Sequence, residues 1–150
     1  MQKQEWFFAA LLVLAIVGLG AFFFYAPQAT GGTVANGPVD VGGGAITIAD
    51  QTDLHTAHVA VTLAAPGFVT IHEVLGGAPA TIIGTSVYLA AGDYPDLKLS
   101  LSTPMKPDYQ YIGLLHADNG DHAFAVADDM PVKTEGAVVE VKFVTTKTAK

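Results

Sequence analysis

Five histidines are the side chains of this sequence best suited to chemistry. Neutral imidazoles bind Zn²⁺, Cu²⁺ or Ni²⁺, and three that converge make a metal site. His116 and His122 flank a predicted hairpin, which would bring them to similar heights on adjacent strands, and His72 lies in the middle of the predicted strand VTIHEV. The sequence therefore marks His72, His116 and His122 as candidate ligands of a zinc or copper site.

A structural role is the alternative for the same side chains. His72 and His116 would then be half-buried, each bonded to a loop carbonyl, while His55, His58 and His122 would be ordinary loop residues. The two hypotheses differ in one observable, which is whether the purified protein carries a metal ion.

Other reactive sites find little support in the sequence. The chain has no cysteine, which excludes a disulfide scaffold, a thiolate zinc site, a cysteine nucleophile and the copper site that needs a cysteine ligand. Its only serines are Ser86, Ser100 and Ser102, and none lies in a nucleophile elbow. No spacing puts two carboxylates on one face among Asp93, Asp96, Asp128 and Asp129. We therefore expect neither an enzyme nor a bound cofactor.

The stretch Asp118-Asn119-Gly120-Asp121 resembles a fragment of a calcium loop. A calcium site needs about six to eight oxygen ligands, and this stretch offers at most three side chains without the downstream bidentate glutamate. Asn-Gly is also the strongest two-residue hairpin signal, because both central residues of that turn take positive φ. The sequence thus predicts a tight hairpin turn at Asn119-Gly120.

The apolar run WFFAALLVLAIVGLGAFFFY at residues 6–25 contains no charged residue. As a helix it reaches roughly 30 Å, the thickness of a bilayer's hydrocarbon core, and Trp6 and Tyr25 suit the two interfacial belts. Lys3 favours an N-terminus in the cytoplasm and a domain outside. A cleaved signal peptide is the competing interpretation, but the run exceeds the usual apolar region of about 7–15 residues. Residues 1–25 are thus predicted to form a transmembrane anchor in contact with the lipid bilayer.

Residues 26–44 are rich in glycine and proline and show no apolar period, which is typical of a flexible linker. From residue 45 to 150 short alternating apolar runs are separated by turn residues, as in antiparallel strands with one solvated face. This pattern predicts an all-β fold, an immunoglobulin-like antiparallel β-sandwich of seven or eight strands. The predicted strands are 45–49, 59–63, 68–74, 81–89, 97–101, 109–116, 123–126 and 139–143.

The formal net charge is −7, and the seven basic residues are all lysine. Without arginine the chain has no bidentate fork for guanine or phosphoryl groups. An acidic surface also repels nucleic acid. Nucleic acid is therefore excluded as a partner.

Four short motifs resemble a family of uncharacterised domains from archaeal and bacterial surface proteins. They are ITIADQT at 46–52, GFVTIHEV at 67–74, IIGTSVYLAAGDY at 82–94 and YIGLLHADNGD at 111–121. The resemblance implies an immunoglobulin-like fold in a secreted or membrane-attached chain, and it implies no catalytic residues.

Together these features predict a single-pass membrane protein whose C-terminal domain lies outside, in the periplasm or on the cell surface. We expect it to act by binding or structural support, as an accessory subunit with a protein partner in a membrane or envelope assembly. A free-standing adhesion domain and a histidine-based metal-binding domain are the alternatives.

Overall fold

The computed structural model of the protein describes residues 39–40 and 43–147. No helix among these residues is long and apolar enough to cross a membrane. The predicted anchor at 1–25 and most of the predicted linker at 26–44 lie outside the described residues. Within them the chain forms ten strands: β1 Val39–Asp40, β2 Gly44–Thr47, β3 Thr56–Leu63, β4 Gly67–Leu75, β5 Ala78–Thr85, β6 Gly92–Ser100, β7 Gln110–Ala117, β8 Val132–Thr134, β9 Ala137–Val138 and β10 Glu140–Val144.

The strands are arranged in three sheets. A three-stranded sheet has the order β2-β3-β6, and a four-stranded sheet has the order β10-β7-β4-β5. Every pairing in these two sheets is antiparallel. The third sheet, β1-β8-β9, is small and joins β1 to β8 in parallel. The predicted all-β, antiparallel fold is confirmed.

One hydrophobic core lies between the two larger sheets. Strand β3 alternates as the sequence predicts, and its buried side chains Ala57, Val59, Val61 and Leu63 face the core. They form one cluster with buried residues of the opposite sheet, of which Ile71 is one. The two sheets are therefore the layers of a β-sandwich.

Strands β4 and β7 are buried on both faces. In β4, Val69 and Ile71 belong to the core between the sheets, while Phe68, Thr70 and His72 are buried on the opposite face. The neighbouring strand β7 buries Ile112, Leu114 and His116 on that same opposite face. This second buried face brings two of the five histidines together.

The segment after β2 closes the sandwich against β10. Gln51 forms a parallel bridge with Thr145, in which the Gln51 N–H donates to the Val144 carbonyl (3.0 Å) and the Thr146 N–H donates to the Gln51 carbonyl (2.8 Å). The Val144 N–H also donates to the Asp50 carboxylate (2.8 Å). The beginning and the end of the described domain are thus bonded side by side.

Several predicted boundaries differ from the structure. Residues 123–126 form no strand, and the strand predicted at 81–89 is β5, which starts at Ala78 and ends at Thr85. The short strands β1, β8 and β9 were not predicted. Gly76 and Gly77 have φ of 62° and 85° and join β4 to β5 in a tight hairpin. The tight turn predicted at Asn119-Gly120 is wrong, because only Gly120 has a positive φ there and β7 leads into a long loop instead.

Candidate functional site

His72 and His116 form a stacked pair on the second buried face. Their ring centroids are 6.3 Å apart and their planes differ by 11°. The two histidines lie on adjacent strands, β4 and β7. In the register of this pair His72 lies opposite Ile112, and His116 lies opposite Phe68. Both side chains are buried, with 5% and 2% of their surface exposed. They are therefore more deeply buried than the half-buried positions expected in the structural alternative.

Hydrogen bonds fix the same tautomer in both imidazoles. His72 Nδ1 lies 3.0 Å from the Ala80 carbonyl, and His116 Nδ1 lies 2.8 Å from the Asp129 carbonyl. Because a carbonyl oxygen only accepts, each Nδ1 carries the proton and each Nε2 keeps a lone pair. His72 Nε2 accepts from the Thr70 hydroxyl at 2.9 Å.

His116 Nε2 is the exception among these nitrogens. It is buried and has no hydrogen-bond partner among the described residues. An unpaired buried acceptor costs free energy, about 1–3 kcal/mol, so its persistence calls for a physical explanation. A fixed Nδ1 proton with a free Nε2 lone pair is the state in which histidine binds a metal ion or accepts a hydrogen bond.

Burial keeps both histidines neutral. It lowers the pKa of His72 below the ordinary value, and the hydrogen bond to the Ala80 carbonyl opposes this only in part. Burial likewise lowers the pKa of His116. The bond to the Asp129 carbonyl raises that pKa, the neighbouring His72 lowers it, and the Asp129 carboxylate raises it. Both rings therefore resist protonation near neutral pH.

An aromatic cluster extends from the histidine pair to the end of the sandwich where β4 begins. Phe124 packs edge-on against His116 (5.2 Å between centroids) and against Phe68 (5.4 Å). Phe68 contacts Tyr88 at 6.2 Å, and Tyr88 lies 4.0 Å from the ring of His122. No sequence pattern points to Phe124, which falls in the stretch wrongly predicted as a strand.

The loop between β7 and β8 is built around Asp129, whose side chain is fully buried. Its Oδ1 accepts from the Asn119 N–H (3.0 Å) and its Oδ2 from the Ala125 N–H (2.6 Å). Its backbone carbonyl holds His116. Asp129 therefore connects both ends of the loop to the histidine pair. Nothing in the sequence distinguishes Asp129 from its neighbour Asp128.

Asp and Asn side chains of this loop accept hydrogen bonds from backbone N–H groups of the same loop. The Asp118 carboxylate accepts from the His122 N–H (3.0 Å), and the Asn119 side-chain oxygen accepts from the Asp121 N–H (2.9 Å). Asp121 accepts in turn from the Ala123 N–H (2.8 Å). These are the oxygens that a calcium loop would require, and they are engaged by backbone N–H groups of the loop itself, in two cases as Asx turns.

The structure brings together two of the three predicted metal ligands. His122 lies in the loop with a φ of 62°, packs on Tyr88, and has Nε2 3.9 Å from the Asp118 carboxylate. In the described part of the chain, no group of three or more His, Cys, Asp or Glu side chains is placed to hold a metal ion. The metal hypothesis for His72, His116 and His122 stays a prediction. His55 and His58 are exposed, and His58 pairs with Asp96 at 3.4 Å.

A surface depression of about 450 Å³ lies at this end of the sandwich. Its apolar lining includes Pro66, Tyr88 and Met130, and its charged lining includes Asp118 and Asp128. The Asp118 side chain is 4% exposed, so its carboxylate forms part of the floor. The depression therefore combines apolar side chains with two carboxylates.

The chain is similar to two proteins of one organism that are named cell surface glycoproteins. It is 36% identical over 75 residues to Cell surface glycoprotein 1 of Haloarcula hispanica, a match that covers 49% of this chain and 8% of the relative. Cell surface glycoprotein 2 of the same organism is 35% identical over 79 residues, which cover 51% of this chain and 8% of the relative. The chain thus spans a small part of the length of the curated relatives it matches. No solved structure matches it.

The family match covers most of the described strands. Residues 44–146 match the family described as Domain of unknown function (DUF7282), which includes the histidine pair, the loop around Asp129 and both layers of the sandwich. This match confirms the resemblance to uncharacterised surface-protein domains that the four sequence motifs carry. The chain therefore belongs to the DUF7282 family.

Proposed function

We propose that this chain is a membrane-anchored, extracytoplasmic module that acts by binding and structural support, as an accessory subunit of a membrane or envelope assembly. The observation that carries the proposal is its similarity to two proteins named cell surface glycoproteins. The apolar run at residues 6–25 supports the anchor, with the N-terminus in the cytoplasm and the domain outside.

The strand order supports an immunoglobulin-like sandwich. The sheet β2-β3-β6 corresponds to strands A, B and E of that fold, and β10-β7-β4-β5 corresponds to G, F, C and C′. Such domains present their loops at the two ends of the sandwich, where partners bind. If the domain acts in an assembly, its contact surfaces therefore lie at its loops.

Two of the three serine hydroxyls are engaged by backbone groups, which supports binding over catalysis. The Ser86 hydroxyl accepts from the Val69 N–H at 3.0 Å, and the Ser102 hydroxyl donates to the Ile83 carbonyl at 3.0 Å. The His72 and His116 rings are enclosed on the second buried face and bonded to backbone carbonyls. Each of these side chains stabilises the fold where it lies.

Extraction from native membranes tests the proposal. The full chain should sediment with membranes, resist washing with high salt, and become soluble in mild detergent. On intact cells an external protease should remove the domain. Size determination of the detergent extract should then show the chain in a large defined complex. Recovery in the soluble cytoplasmic fraction would refute the proposal, and migration at monomer size would favour the free-standing adhesion domain.

A histidine-based metal site is the second candidate, and the unpaired Nε2 of His116 is the observation that favours it. If it is correct, the purified chain binds one zinc or copper ion, and His116→Ala or His72→Ala abolishes binding. His55→Ala is the matched control, because His55 is an exposed loop histidine. A chain that stays metal-free after exposure to both ions would eliminate this candidate.

A further inference from the structure

The large apolar side chains that the described residues leave exposed lie at the two ends of the sandwich. Leu75 is 77% exposed and Tyr109 is 39% exposed, both at the end where β4 finishes. Val87 is 78% exposed and Val126 is 63% exposed, both at the end where β4 begins. Nine residues of β4 separate the two ends, which corresponds to roughly 30 Å.

The end where β4 begins, which we name the acidic end, carries the depression described above. Val87 precedes Tyr88 of its lining, and Val126 lies in the loop that forms its wall. Asp118 and Asp128 line the depression, and Asp121 lies in the same loop. This end therefore offers an apolar recess with negative charge beside it.

The opposite end, which we name the hairpin tip, has the complementary chemistry. Leu75 projects beside Gly76 and Gly77, which have no side chains and keep the tip narrow. The Lys142 ammonium donates to the Gly77 carbonyl at 3.3 Å, so a positive charge lies at the tip itself. Lys106 lies 5.3 Å over the Tyr109 ring at the same end and is 3.7 Å from Glu73.

We propose that copies of this chain associate head to tail, with the hairpin tip of one copy seated in the depression at the acidic end of the next. Leu75 then packs against Pro66, Tyr88 and Met130, and Lys142 faces Asp128. The contact joins two different surfaces, so it does not close between two copies and extends into rows or rings.

The charge distribution favours a second copy as the occupant. A chain with a net charge of −7 repels its own copies on average, and contact requires that a positive feature of one copy meet a negative one of the next. Lys142 at the tip and Asp118 and Asp128 at the depression meet this requirement. The association deepens the structural role proposed above by naming further copies of the chain as a partner in the assembly.

Cysteine cross-linking tests the proposal directly, because the chain has no cysteine of its own. Two full-length variants, Leu75→Cys and Val126→Cys, are purified in detergent, mixed, and oxidised. A disulfide between positions 75 and 126 should form in the mixture in clear excess over either symmetric disulfide. In the control, a Glu140→Cys variant replaces one of the two variants in the mixture, because Glu140 is exposed on the side of the sandwich.

Charge exchange supplies an independent readout that does not depend on disulfide chemistry. Lys142→Glu and Asp128→Lys should each lower the yield of the 75–126 disulfide about tenfold, as expected when an anchoring contact is lost. The double variant should restore it, and far-ultraviolet circular dichroism should show all variants folded. Equal yields of the symmetric and the 75–126 disulfides, or no restoration in the double variant, would overturn the proposal.

These outcomes are separate from those that test the surface role. A chain that is extracted in a complex with other proteins but gives no 75–126 disulfide refutes self-association alone. A chain that forms the disulfide but is recovered in the cytoplasm refutes the surface role alone.

Discussion

At the scale of single residues, His72 and His116 connect the stability of this domain to pH. Both rings are buried, and the folded state holds their pKa values below the ordinary value. The unfolded chain therefore binds more protons than the folded chain when the pH falls below about 6.5.

Stability should accordingly be greatest above about pH 6.5 and should fall as the pH drops through the lowered pKa values. Each pKa unit by which one histidine is lowered corresponds to about 1.4 kcal/mol of unfolding free energy. Urea unfolding at a series of pH values measures this slope. His72→Gln should reduce the slope and His55→Gln, an exposed control, should leave it unchanged. An identical slope in all three proteins would contradict the assignment.

Asp129 is the second residue whose role is sharply testable. Its carboxylate accepts two backbone N–H groups while fully buried. Asn in its place turns an amide NH₂ toward a backbone donor, so Asp129→Asn should lower the unfolding free energy by about 2–4 kcal/mol. The exposed neighbour gives a matched control, and Asp128→Asn should change it by less than about 0.5 kcal/mol. Comparable losses in the two variants would show that the loop is not organised by Asp129.

At the scale of elements, the sequence correctly predicted the features that a local pattern of residues determines. The alternation of β3 depends on the period of its apolar residues, and it was predicted correctly. The loop between β7 and β8 was not, because a buried carboxylate ten residues away holds Asn119 in place of a local turn. Tertiary contact overrides the Asn-Gly signal there.

A close approach between β4 and β7 also escapes sequence patterns. A Cβ at Gly67 would overlap the His116 carbonyl oxygen and would lie 3.3 Å from the Ala117 Cα. Gly67 therefore allows the two strands to pair beside the histidine site.

Gly67→Ala should lower the unfolding free energy by about 1–3 kcal/mol, because backbone atoms must move to admit the methyl group. Gly44→Ala is the milder comparison, since its Cβ would lie 3.2 Å from a flexible Leu115 methyl group. Thermal unfolding of the two variants provides the test. A larger effect at Gly44 than at Gly67 would be inconsistent with this account.

At the scale of the whole molecule, the two chain ends of the domain are bonded in parallel. The Asp50–Gln51 segment lies beside Val144–Thr146 through two backbone hydrogen bonds and the Asp50 carboxylate. The four-stranded sheet, in contrast, contains the antiparallel β4–β5 hairpin, whose strands meet at the Gly76-Gly77 turn.

This parallel closure has a mechanical consequence. When the domain is pulled apart from residues 43 and 147, the force runs along both segments and loads their cross-bonds together in shear. A hairpin pulled from its open end instead separates one bond at a time. We therefore expect a single force peak with handles at 43 and 147 that exceeds the force with handles at Pro66 and Val87, and Asp50→Ala should lower the first force alone. Optical-tweezer measurements can compare the two directions, and equal forces would show that the closure does not bear the load.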